Sequence, residues 1–173
     1  MSGKAAGSEG QGGGRGGTLK AEEFAPTLPA GARLMGLDVG TKTLGLALSD
    51  VTRTIASGLT TLVRTKFSAD VRHLLALAER HGVGGFVVGL PVNLDGQDGP
   101  RAQATRAFAR NLSKLTALPI LLWDERLSTA AAERTLLEAD MSRRRRAQVI
   151  DKVAATLILQ GALDRLRLFD RTR

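Results

Sequence analysis

The sequence predicts an α/β domain, a five-stranded mixed sheet flanked by helices. Three observations carry this. Between residues 34 and 63 the apolar pattern has a period near two and is interrupted only by short turns, as an antiparallel meander requires. From Val71 onward the period lengthens to about 3.6, and helical stripes alternate with short apolar runs, the pattern of strand–helix–strand crossovers. Hydrophobic residues make up 43% of the 173-residue chain, enough to bury one core.

Residues 1–17 hold eight glycines and almost nothing apolar, and Pro26 and Pro29 follow. Residues 1–31 therefore read as a disordered Gly-rich tail, residues 32–168 as the folded domain, and residues 169–173 as a short basic tail. Leu34 to Val39 reads as a buried strand, followed by the turn Gly40-Thr41-Lys42. Leu44, Leu46 and Leu48 alternate with small residues in a second strand, and Ile55 to Val63 fits a third. Val71, Leu74, Leu75 and Ala78 form a helical stripe that Gly82 stops. GFVVG, residues 85–89, is a continuous apolar run, as expected of a strand covered on both faces. Asn93 to Gly96 is a turn. A helix from Pro100 to Leu115 should turn Ala104, Phe108, Leu112 and Leu115 inward. Pro119 introduces a last strand, Ile120 to Trp123, and Ser128 can cap a helix reaching Ala139. A final helix follows Arg143–Arg146, with Val149, Ile150, Val153, Ala154, Leu157, Ile158 and Gly161 on one face.

Composition excludes several chemistries. With no Cys there is no disulfide, no thiolate zinc site and no thiol nucleophile, and two histidines cannot build a histidine-rich metal site. No apolar run approaches the ~20 residues of a membrane span, and the first residues lack the apolar core of a secretory signal, so the expected location is the cytoplasm. The net charge of +8 is uneven. Residues 1–100 carry 10 basic and 9 acidic side chains, whereas residues 101–173 carry 15 and 8, so the basic half predicts an anionic partner. Aromatics at 3% argue against a single-strand binder built on stacking platforms, while phosphate contacts need only Lys and Arg. The basic residues assigned to nucleic acid are Lys42, Arg126, Arg143, Arg144, Arg145, Arg146 and Lys152.

Most carboxylates fall in turns or on exposed helix faces. Asp38 instead interrupts an apolar strand, GLDVG, where a charge is costly unless paired or bound to a cation. Asp124 and Glu125 end the last strand, and spacing does not separate them. Asp151 lies in the first turns of the final helix, at the edge of its apolar stripe, while Lys152 points away. If the first and last strands are parallel near neighbours, their ends bring Asp38 to Asp124 or Glu125, and the helix can add Asp151. Two unit charges ~4 Å apart repel by about 4 kcal/mol at an effective dielectric near 20. A hard dication removes that cost, and an oxygen-only set points to Mg2+ or Mn2+, two of which could clamp a phosphodiester.

The runs GLDVGTKTLGLALSD, VVGLPVNLDGQDGPRAQATRAFA, DERLSTAAAE and VIDKVAATLILQGALD, in this order, resemble the YqgF/RuvX family. Its members are RNase H-like proteins described as Holliday junction resolvases or as nucleases that mature the 5′ end of pre-16S rRNA. The likeness spans about Arg33 to Asp164. It implies an RNase H-like sheet of order 3-2-1-4-5, with Asp38, Glu125 and Asp151 as catalytic metal ligands. On the resemblance alone, Glu125 is preferred to Asp124. Thr43 stands where the family often has a basic residue.

The leading expectation is a hydrolase, a two-metal nuclease for the 5′ end of pre-16S rRNA. The alternative is a Holliday junction resolvase acting on branched DNA. Lower in rank are a non-catalytic RNA-binding assembly factor and an actin-like ATP-binding domain; DVGTKTLGLALSD also resembles the first phosphate loop of those ATPases, but no other Gly-rich phosphate motif appears and one domain lacks their second half. The partner is nucleic acid, not a membrane, and the chain could act as a monomer or homodimer.

Overall fold

The two sequence periodicities resolve into one sheet with helices on both faces. The computed structural model describes residues 18–127 and 143–170, with side chains in the second stretch from Lys152 onward. The strands are β1 (Thr18–Leu19), β2 (Arg33–Val39), β3 (Thr43–Ser49), β4 (Ala56–Val63), β5 (Val83–Leu90) and β6 (Ile120–Asp124). The helices are α1 (Ala21–Phe24), α2 (Phe67–Arg80), α3 (Pro100–Ser113) and α4 (Arg143–Asp170). The sheet order is β1-β6-β5-β2-β3-β4. β2, β3 and β4 form an antiparallel meander, while β5 pairs parallel with β2 and with β6. The five predicted strands thus stand in the predicted order. Among the described residues no helix is long and apolar enough to cross a membrane.

Alternation along each strand divides the core in two. Met35, Leu37, Val39, Leu44 and Leu46 face α2 and α3, against Val71, Leu74, Phe108 and Leu112. Leu34, Ala47, Val87, Leu121 and Trp123 face α4, against Ala155, Ile158, Leu159 and Ala162. β5 lies between β2 and β6, and all eight of its residues are buried, as its unbroken apolar run requires. Asp70 holds the start of α2, its carboxylate accepting the Thr65 amide at 3.0 Å and the Thr65 hydroxyl at 2.7 Å. Gly82, at φ +66°, ends that helix in the left-handed conformation that glycine adopts without cost.

Four expectations need correction. Residues 18–31 do not belong to a disordered tail: β1 adds a sixth strand parallel to β6, and α1 carries Phe24 into the core with no exposed surface. Gly85 makes the slot, since a Cβ there would lie 2.8 Å from Phe24 Cζ. Leu19, Ala21, Ala25 and Leu28 pack beside Phe24 against the same core, a local pattern that the Gly-rich average composition hides. The expected disorder of residues 1–17 concerns residues outside the described ones. In α3 the buried stripe is Ala102, Thr105, Phe108, Ala109 and Leu112. Ala104 is exposed, and Leu115 lies past the helix end and is 54% exposed. Arg143–Arg146 do not precede the last helix but lie inside it, which places Asp151 beyond its opening turns. The same helix continues to Asp170, so residues 169 and 170 are not tail. The expected helix from Ser128 to Ala139 lies outside the described residues.

Phe24→Ala should lower unfolding stability by about 3–5 kcal/mol, read from the urea midpoint at constant m-value. A midpoint unchanged from wild type would show that the 18–31 segment contributes nothing to the core.

Candidate active site at the ends of the parallel strands

Asp38 is the penultimate residue of β2 and is 2% exposed. Parity puts it on the α4 face, since Leu34 faces α4 and Gly36 and Asp38 follow at intervals of two. The same rule separates the two acids that end β6. Leu121 and Trp123 face α4, and Glu125 continues that series into a short 3-10 turn, buried at 5% exposure. Asp124 has the opposite parity. Its carboxylate accepts from the Arg126 guanidinium at 2.6 Å. Hydrogen bonding from Arg126 holds the Asp124 carboxyl below its ordinary 3.8 despite partial burial. Arg126 is thus paired with Asp124, while Glu125 is buried.

Between Asp38 and Glu125 lies Gly89 of β5. It pairs with Trp123 across β6, and on the other side Leu37 pairs with Val88, so Asp38 is level with Gly89. β2 and β6 are two strand spacings apart, about 10 Å. A Cβ at Gly89 would overlap Ile158 Cδ1 and lie 2.9 Å from Glu125 Oε1. Gly36 does the same for the helix backbone: a Cβ there would lie 2.7 Å from Leu159 Cβ and 2.9 Å from the Ala155 carbonyl. α4 thus rests directly on the sheet, with residue 151 one turn before Ala155. The side chains of Asp151 and of Arg143, Arg144, Arg145 and Arg146 lie outside the described residues. Among the described residues no group of three or more His, Cys, Asp or Glu could hold a metal ion. Lys152 is exposed, and its stem lies along Gly58, where a Cβ would meet Lys152 Cγ at 2.7 Å.

The turn after Asp38 is braced from the other face. Arg64 Nη1 donates to the Gly40 carbonyl at 2.6 Å, and the Arg64 amide donates to the Lys42 carbonyl at 2.8 Å. The Arg64 guanidinium lies 5.6 Å from the centre of the Phe108 ring. Lys42 is exposed at this turn, whereas Arg126, also exposed, already serves Asp124. Sequence reasoning missed Arg64, Gly36 and Gly89. Arg64 meets a partner 24 residues away and has no local signal. The glycines had one: each occupies a period-two position where neighbouring strands carry core residues.

The family model described as "RuvX: Holliday junction resolvase" matches residues 32–165. A relative from Paracoccus denitrificans (strain Pd 1222), provisionally named a pre-16S rRNA nuclease, is 62% identical over 151 residues, 87% of this chain and 96% of its own length. One from Rhodobacter capsulatus, with the same provisional name, is 61% identical over 145 residues, 84% of this chain and 91% of its own. Among solved structures, Thermus thermophilus RuvC aligns at a TM-score of 0.49 and 13% identity, over 79% of this chain and 97% of that one.

Two outcomes follow from this geometry. Gly89→Ala should cost about 1–3 kcal/mol in thermal unfolding, because Ile158 and Glu125 must both move; a variant as stable as wild type would mean that the α4 seat is looser than described. The Asp124–Arg126 pair has a depressed folded carboxyl pKa, so its stabilisation is present above the unfolded value near 3.8 and is lost as pH falls through the lowered one. At this exposure it is worth at most about 1 kcal/mol. Acid titration of wild type and Asp124→Asn should show stabilities that differ near neutrality and converge at low pH.

Proposed function

The chain belongs to the RuvX family, and from that premise we propose that it is a metal-dependent nuclease that hydrolyses phosphodiester bonds of precursor rRNA to mature the 5′ end of 16S rRNA. The observation that carries this reading is the pair of buried carboxylates, Asp38 and Glu125, set on one sheet face around Gly89. Its substrate follows from the relatives that share about six-tenths of the sequence over nearly their whole length and are provisionally named pre-16S rRNA nucleases. Processing one rRNA end needs one site, so a monomer suffices, and the substrate places the protein in the cytoplasm.

The donor chemistry fits a hard dication. Buried oxygens without histidine or cysteine suit Mg2+ or Mn2+. Asp38 and Glu125 would hold the metal, with Asp151 from α4 as the third ligand. Bound there, one or two such ions supply a nucleophilic water and neutralise charge on the phosphate. The protein's own part is positional. β2 and β6 fix the two carboxylates rigidly, and α4 excludes bulk water from one side. The braced 40–42 turn presents Lys42 to a phosphate oxygen as a point charge. Lys152 and the Arg143–Arg146 run add non-specific attraction to the RNA backbone.

Asp38→Asn and Glu125→Gln should each reduce cleavage of precursor rRNA by about a thousandfold or more while melting within a few degrees of wild type. Asp124→Asn should lose less than about tenfold, and EDTA should abolish cleavage until Mg2+ is restored. Full magnesium-dependent activity in Asp38→Asn would remove the catalytic assignment.

A further inference from the structure

The loop between β5 and α3 carries a residue that neither the fold nor the carboxylates account for. Leu94 is 95% exposed. A scattered surface leucine needs no explanation, but this one stands on a stiff base. The Gly96 amide donates to the Asn93 carbonyl at 2.8 Å, and the Asn93 amide donates to the Gln97 carbonyl at 3.0 Å. The Gln97 amide donates to Asp95 Oδ1 at 2.9 Å. Gly96 takes φ +85°, which closes the turn. The Asn93 and Gln97 carbonyls and one Asp95 oxygen are engaged within the turn, and beside the exposed Asp95 the turn projects an apolar side chain.

The loop's place gives that side chain a task. It leaves β5 just after Leu90, which pairs with Asp124 at the end of the sheet where Glu125 follows. A Cβ on Gly96 would lie 3.6 Å from Arg126 Nη1, so the loop leans on the turn that carries Glu125. Leu94 therefore stands on a loop that touches Arg126, at the end of the sheet that carries Asp38 and Glu125. Bases near a backbone phosphate offer apolar faces once unstacked, and leucine is one of the wedges that proteins use between base steps. The chain has almost no aromatic residues for that purpose.

We propose that Leu94 packs against an unstacked base next to the scissile phosphate, so that this loop selects RNA that can open at the cut. The inference rests on the nuclease reading for the location of the cut, but it is a statement about binding and can be tested without cleavage. The probe is an RNA spanning the 16S 5′ end with 2-aminopurine beside the expected cut, bound in EDTA. Wild-type protein should raise its fluorescence. Leu94→Ser should remove most of that rise and, in Mg2+, raise KM about tenfold, the factor expected when part of a leucine's burial is lost. Leu94→Met should preserve both. Because the side chain is exposed, all three proteins should melt alike. No rise with wild type, or an equal rise with Leu94→Ser, overturns the proposal and leaves the nuclease reading standing. A Leu94-dependent rise without any cleavage in Mg2+ supports the wedge and defeats the nuclease reading.

Discussion

The close seating of α4 on the sheet is the constraint on which the rest depends. A helix usually stands off from a sheet because side chains intervene. Here Gly36, Gly58 and Gly89 remove them where α4 crosses, so that Leu159, Lys152 and Ile158 meet strand backbone instead. The dispersion attraction across this seam is small for each atom pair and large in sum. The seam also fixes the helix in register, because a shift of one residue would drive a branched side chain into a strand. That register sets residue 151 one turn before Ala155, itself above Gly36, two residues before Asp38.

Burial of the carboxylates is the second consequence. Asp38 and Glu125 are almost wholly covered. Charged groups so placed are costly, and a sequence optimised for stability alone would carry apolar residues there. The fold sets them on either side of Gly89, where Ile158 of α4 packs against the strand. It also removes a competing charge: Arg126, the nearest cation in sequence, is drawn to Asp124 on the other face. Strand parity thus sorts two adjacent acids into different roles, one a surface ion pair and one a candidate metal ligand. The neighbouring turn is braced by Arg64 on the α3 side, which separates the residue that stiffens the turn from the residue, Lys42, that it presents.

Much of this was legible in the sequence. The five core strands and their order followed from the change of hydrophobic period and the family resemblance, and Asp38 stood out as a charge inside an apolar run. Glu125 could be preferred to Asp124 only through the resemblance, because spacing does not separate adjacent acids; the structure shows Glu125 buried and Asp124 paired with Arg126. The docking of residues 18–31 was not legible, since its partners, Gly85 and β6, are far off in the chain. The α3 stripe was misplaced because Ala104 and Ala102 are equally apolar, and only packing against the sheet distinguishes them. Arg64 was invisible because its contacts are tertiary.

Anomalous diffraction from crystals grown with Mn2+ is the most direct test of a shared carboxylate site. A manganese peak should lie within the first coordination sphere of both Asp38 and Glu125, with Asp151 brought to the same ion by α4. Manganese bound only elsewhere, for example at Asp124 on the opposite face, with the Asp38 and Glu125 carboxylates coordinating nothing, would contradict it.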